Sequence, residues 1–239
     1  MTKNTFDRRP YPPTTAIVLA GGAGRRMMGK DKGLLPFRDG YLIEPILAAL
    51  APQVDQLIIS ANRHLTEYRV FGFPVVSDPT LADGEPEYAG PVAALRHVST
   101  FAEHDWLLLA PCDMPGFRPH WPARLWATQR ASRAAVVIAH DGERLQPTVA
   151  LIHRPCLAQR PDQIHGTQHS RPPADPAKFG QRLTELLMAG RYALCDLSKD
   201  RPCFANINTP EELAALPDPH CDIPPINRKS KASARHSPA

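Results

Sequence analysis

The chain has 239 residues, 43% of them apolar and 22% charged, a composition that suits one globular domain with a sizeable core. Its formal charge of +4 lies in two end segments, residues 1–13 and 217–239, each carrying two net positive charges. The body between them is neutral and lacks the basic face that nucleic-acid binding requires. No apolar run approaches the roughly 18 residues needed to span a bilayer, and the first residues carry no apolar secretory segment. A cytoplasmic chain with no membrane or nucleic-acid partner is expected. Five cysteines (112, 156, 195, 203 and 221), odd in number and without metal-type spacing, argue against a disulfide framework or a zinc site.

In chain order, residues 1–13 read as a disordered extension. The apolar run Ala16 to Ala20 then reads as a buried strand that stops at Gly21-Gly22, with Gly24 following. Arg25, Arg26, Lys30 and Lys32 come next, beside the carboxylate of Asp31. A strand feeding a glycine-rich turn brings backbone N–H groups against phosphates, and the cations supply the charge a triphosphate needs. Gly24 to Lys30 imitates a Walker A loop, but Asp31 stands where a Ser or Thr hydroxyl should meet magnesium. Gly22 and Gly24 imitate a dinucleotide fingerprint, but Met27 replaces the third glycine.

Leu42 to Leu50 has helical apolar spacing with Pro45 near its start. Gln56 to Ser60 reads as a buried strand and Val75-Val76 as a short one ending in Ser77-Asp78. Val92 to Val98 begins a helix, and Trp106 to Ala110 is the most apolar strand, running into Pro111-Cys112-Asp113. Ala134 to Ala139 and Thr148 to Ile152 are further strands joined across the turn pair Asp141-Gly142. Residues 159–178 form a polar, proline-rich loop insertion, in which His165 and His169 have no helix to present them as a metal pair. A helix over Gln181 to Ala189 ends at Gly190, and Phe204 to Asn208 reads as a short strand. Thr209, Pro210 and Glu212 then start a last helix, and residues 217–239 form a disordered basic tail.

This order predicts an α/β fold: one domain over residues 14–216, three-layered and Rossmann-like, with a mainly parallel sheet. In such sheets ligands bind beyond the carboxyl ends of the strands. The glycine loop, Ser60 to Asn62, Asp78 and Asp113 each follow a strand directly, so one sheet edge gathers them all. Asp113 is the metal candidate, because magnesium takes one or two carboxylates together with phosphate oxygens and waters. A helix-capping or turn aspartate is the alternative. Arg25 and Lys32 are the cations placed to meet departing phosphates, with Asp31 adjacent to orient Lys32. Cys112 reads as a core thiol.

Leu19 to Leu34, with its Gly21-Gly22, Arg26-Met27 and Asp31-Lys32-Gly33-Leu34, resembles the signature loop of the molybdenum cofactor guanylyltransferases. Further stretches of that resemblance follow in order. They are Ile59 to His64, Asp78, Gly90 to Ala94, Pro111 to Pro115, His140 to Leu151 and Phe204 to Leu213. The chain departs from the pattern at Met28, Ser60 and Ala94. The resemblance implies a nucleotidyltransferase that moves GMP from GTP to the phosphate of molybdenum-bound molybdopterin, with Mg²⁺ as cofactor. It implies a nucleotide site at Leu19, Ala20, Gly21, Gly22, Lys32, Ser60, Asn62, Asp78 and Asp113, with Asp113 as the magnesium ligand. It places His140, Asp141, Arg144, Asn206 and Asn208 on the molybdopterin side. Molybdenum cofactor biosynthesis proteins and acceptor molybdoenzymes are the implied partners. A cytidylyltransferase, a sugar-phosphate nucleotidyltransferase and a non-catalytic GTP- or cofactor-binding delivery module remain as alternatives.

Overall fold

The computed structural model describes residues 10–21, 31–79, 91–158, 177–207 and 212. Its strands are β1 (Thr14–Leu19), β2 (Pro36–Phe37), β3 (Gly40–Tyr41), β4 (Gln56–Ser60), β5 (Val75–Val76), β6 (Trp106–Pro111), β7 (Val136–His140), β8 (Leu145–His153) and β9 (Tyr192–Asp196). The α-helices are α1 (Glu44–Leu50), α2 (Leu65–Arg69), α3 (Pro91–Ser99), α4 (Trp121–Ser132) and α5 (Ala177–Met188).

Seven strands form one sheet in the order β5–β4–β1–β6–β8–β7–β9, while β2 and β3 make a separate hairpin. All neighbours are parallel except those of β8, which runs antiparallel to both β6 and β7. The expected mainly parallel α/β sheet is what the chain forms. Side chains alternate strictly across it. Ala16, Val18, Leu57, Ile59, Leu108, Ala110, Val137 and Leu151 face one core, while Ile17, Ile58, Leu107, Leu109, Ile138 and Ile152 face the other. The first core packs against α1 and α4, the second against α3 and α5, giving three layers. This period-2 split explains why the central strands read as continuous apolar runs: both faces are buried.

The first core closes on an aromatic stack. Trp121 stacks on Phe204 at 4.2 Å and meets Phe117 edge-on at 5.0 Å. Trp121 and Trp126 are both buried, each offering roughly 3–5 kcal/mol against truncation to alanine.

Helices α2 and α4, strand β9 and the β2–β3 hairpin are absent from the sequence expectations. Helix α4 has the right start, Trp121-Pro122, but its apolar positions are few and uneven. Strand β9 alternates between exposed Tyr192 and Leu194 and buried Cys195, a pattern too short to stand out. One expectation is corrected. Phe204 to Asn208 is not a strand over its described part. Residues 198–204 form 3-10 turns, Ala205 is extended, and 205–207 belong to no strand. The stacking of Phe204 on Trp121 draws this segment beneath α4 and away from a sheet edge.

Candidate active site

The chain moves from β1 to β4 and β5 on one side and then to β6 on the other, so the switch point of the sheet lies between β1 and β6. In open α/β sheets such a point is where ligands bind, beyond the carboxyl ends of the strands. The strand ends are laced together by backbone bonds. Ala20 N donates to Ser60 O at 2.8 Å and Cys112 N to Leu19 O at 3.1 Å. Leu19, Ala20, Gly21, Ser60 and Asp113 therefore share one edge. Gly21 lies against Asn62, whose amide nitrogen would be 3.5 Å from any Cβ added there.

Lys32 begins a 3-10 turn, Lys32–Leu34, and its Nζ lies 3.0 Å from Asp113 Oδ2. The two side chains are 30% and 16% exposed. Partly exposed ion pairs of this kind are worth only about 0–1 kcal/mol. Stability gives little reason for the pair, whereas an ammonium and a carboxylate at a switch point are placed to meet a phosphate and its metal. Asp113 offers hard oxygen donors at the end of β6. Among the described residues no group of three His, Cys, Asp or Glu could hold a metal unaided. One carboxylate completed by phosphates and waters fits magnesium, which binds in that manner.

Asp31, next to Lys32 in the chain, turns its carboxylate into the core. Asp31 is buried and its Oδ1 accepts a 2.5 Å hydrogen bond from the Tyr68 hydroxyl on α2. Burial pushes this carboxyl above the usual carboxylate range, against the lowering pull of Tyr68 and Arg63. Burial likewise pushes the Tyr68 phenol far up, reinforced by Cys112 and Asp31. Gly33 passes so close that an added Cβ would sit 2.6 Å from the Tyr68 hydroxyl. The glycine is needed for that approach rather than for backbone freedom. Cys112 is buried, and burial followed by Asp113 and Asp31 raises its thiol well above the usual value, which fits a core residue.

Asn62 and Asp78 hold each other reciprocally. Asn62 Nδ2 donates to Asp78 Oδ2 at 2.7 Å, and Asp78 N donates to Asn62 Oδ1 at 2.8 Å. Burial raises the Asp78 carboxyl, partly offset by that amide. The pair joins the ends of β4 and β5 and so presents one rigid polar ledge beside Gly21.

On the other side of Asp113, β7 and β8 form the expected hairpin. β8 accommodates extra residues between Gln146 and Ala150, Pro147 among them, where the ladder shifts register. The Asp141 carboxylate accepts from Glu143 N (2.8 Å), Arg144 N (2.7 Å) and Gln146 Nε2 (2.7 Å). Its burial acts to raise the pKa, but these bonds outweigh it and hold the carboxyl below its ordinary value. Asp141 thus organises the turn, and His140 Nδ1 accepts from Gly142 N at 3.1 Å. Arg144 is exposed. Asn206 reaches this edge through its neighbour, because Ile207 N donates to Asp113 O at 2.9 Å. Its segment is fastened by Asp200, whose Oδ2 accepts from Trp121 Nε1 at 2.8 Å and lies 2.7 Å from His120 Nε2. Gly116 permits the same docking, since a Cβ there would fall 2.5 Å from Cys203 O.

Gly22, Arg25 and Asn208 lie outside the described residues, as do Met28, most of the 159–178 insertion and the helix start at Thr209-Pro210. Tyr68, Trp121 and Asp200 were not singled out from sequence. Their roles depend on partners 37 and 79 residues away, which no local pattern reveals.

Residues 16–173 match the family model of the MobA-like NTP transferase domain. A molybdenum cofactor guanylyltransferase of Shewanella loihica is 34% identical over 206 residues, covering 86% of this chain and 96% of that protein. One from Vibrio cholerae is 31% identical over 214 residues, covering 90% and 96%. The crystal structure of molybdopterin-guanine dinucleotide biosynthesis protein A from Archaeoglobus fulgidus shares the fold. It superimposes with a TM-score of 0.57 at 19% identity, covering 84% of this chain and 95% of that one. With the Lys32–Asp113 pair at the switch point of the sheet, these relatives identify the family: the chain is a nucleotidyltransferase of the MobA-like family and belongs with the molybdenum cofactor guanylyltransferases.

Proposed function

We propose that this enzyme transfers GMP from GTP to the terminal phosphate of molybdenum-bound molybdopterin, forming the guanine dinucleotide and releasing pyrophosphate. The observation that carries this reading is the Lys32 ammonium held 3.0 Å from Asp113 Oδ2 at the β1–β6 switch point. An oxygen of the pterin phosphate attacks the α-phosphorus of GTP, and the bond to the pyrophosphate oxygen breaks. The nucleophile is already ionised, so no strong general base is required. Positioning and charge stabilisation dominate such transfers.

Lys32, with Arg25, neutralises the departing pyrophosphate, while Gly21 and Gly22 offer backbone N–H groups to the phosphates. Asp113 would hold Mg²⁺, which when bound neutralises charge on the α-phosphate. Leu19, Ala20, Ser60 and the Asn62–Asp78 ledge form the nucleoside side. His140, Arg144, Asn206 and Asn208 receive the pterin, with Asp141 shaping the turn that carries the first two. The product passes to molybdoenzymes, with other cofactor biosynthesis proteins as neighbours in that transfer.

The test is transfer of label from α-phosphate-labelled GTP, and separately CTP, to molybdopterin in the presence of Mg²⁺. Label in a pterin dinucleotide from GTP, with little from CTP, is expected. Transfer from CTP would reassign the base, and GTP binding without transfer would make the protein a delivery module.

A further inference from the structure

Lys32 sits between two residues that both lie against Tyr68. Asp31, before it, is tied to Tyr68 by the 2.5 Å hydrogen bond inside the core. Gly33, after it, accepts from Ile43 N at 3.1 Å and is wedged between the Tyr68 hydroxyl and Cys112 Cβ. Cys112 immediately precedes Asp113, so both ends of the Lys32–Asp113 pair are built on this wedge. Tyr68 is fully buried in α2, the helix that follows the Asn62 turn. It therefore couples the lysine turn to the β4 end as well.

A buried tyrosine–carboxylate pair is a poor choice for stability alone. Apolar groups of the same shape are often neutral or better, whereas removing one partner is costly. Misplacing a reacting group by about 1 Å can cost on the order of a hundredfold in rate. Aiming Lys32 is a use for the pair that its energetics otherwise leave unexplained.

We propose that Tyr68 and Asp31 are positioning residues, whose buried hydrogen bond fixes the angle at which the 31–34 turn presents the Lys32 ammonium to Asp113 and the phosphates. This rests on Lys32 acting on the nucleotide as described above. Neither residue touches the reacting atoms.

The test is a kinetic cycle on the full chain, measuring pyrophosphate release from GTP with molybdopterin for wild type, Y68F, K32A and Y68F/K32A. Y68F should lower kcat about tenfold while leaving the KM for GTP within about twofold. In the K32A background, Y68F should have no further effect on kcat, because there is no ammonium left to aim. Asp31→Asn keeps an acceptor for the Tyr68 hydroxyl and should retain most of kcat. If Y68F does not fold, Asp31→Leu, which removes the buried charge together with the bond, serves in its place with the same expectation. An equal loss of kcat from Y68F with and without Lys32, or no loss at all, would overturn the proposal. Wild-type turnover in K32A would instead overturn the role given to Lys32 itself.

Discussion

The two sides of Asp113 are built differently. On the β1–β4–β5 side, three described polar groups are held by residues distant in sequence: Asp31 by Tyr68, Asn62 by Asp78, Lys32 by Asp113. On the β7–β9 side, the turn carboxylates are held by their own turns, and only the segment carrying Asn206 is fastened at long range, through Asp200. Asp141 binds the backbone of residues 143 and 144, and Asp196 accepts from Ser198 N at 2.9 Å. Long-range pairs make the first side a preorganised mould, which suits a triphosphate that must be held in line. Local turns make the second side a frame whose outward residues, such as exposed Arg144, can differ without disturbing the sheet.

Point substitutions separate the two sides. After Asp113, treated below, the largest effect is expected from Lys32→Ala, a loss of kcat of about a hundredfold with little change in melting temperature, read by pyrophosphate release and thermal unfolding. Asn62→Ala should come next, because it leaves the buried Asp78 carboxylate without its amide. A hydrogen bond of that kind is worth about 1–3 kcal/mol, so the KM for GTP should rise roughly tenfold while that for molybdopterin holds. Arg144→Ala should do the reverse on a smaller scale. The KM for molybdopterin should rise a few fold, as for one exposed contact, with GTP saturation unchanged. A shift of both constants together would dissolve the division between the two sides.

The smallest effects concern stability, and their signs are opposite. The folded-state pKa of Asp31 is raised, so its ionisation at neutral pH works against the fold. Its favourable contribution is complete below the ordinary carboxylate value and is lost as pH rises through the folded value. Asp31→Asn should therefore melt a few degrees above wild type near pH 7, with the gain vanishing in acid. The folded-state pKa of Asp141 is lowered, so its contribution is present above the ordinary value and lost as pH falls through the folded one. Asp141→Asn should melt a few degrees lower near pH 7 and match wild type in acid. Melting curves across pH read both.

The fold was legible where apolar runs met polar stops. β1, β4 and β6 announce themselves, and each is followed by the residue it delivers to the edge. Helix α4 was hidden because its buried face rests on Trp121, Leu125 and Trp126 rather than on a regular stripe. The segment from residue 204 reads as a strand in sequence, but Phe204 packs under α4, Ile207 packs against Leu35 and Leu42, and one backbone bond runs to Asp113. At the candidate site, residue types and order already point to Lys32, Asn62, Asp78 and Asp113, which the structure brings to one sheet edge. The partner of each did not follow from sequence. Asp31 in particular stands beside Lys32 in the chain yet turns inward to Tyr68, while Lys32 reaches across to Asp113. Neighbours along a chain in a tight turn point in different directions, and only the packed structure decides which one stays wet.

The most direct test of the account is Asp113→Ala, measured twice: single-turnover transfer of GMP to molybdopterin, and thermal unfolding. Transfer is expected to fall by about a hundredfold to a thousandfold, with the melting temperature within a few degrees of wild type. A collapse of the melting temperature in step with activity, or transfer at the wild-type rate, would contradict a reaction centre at the Lys32–Asp113 pair.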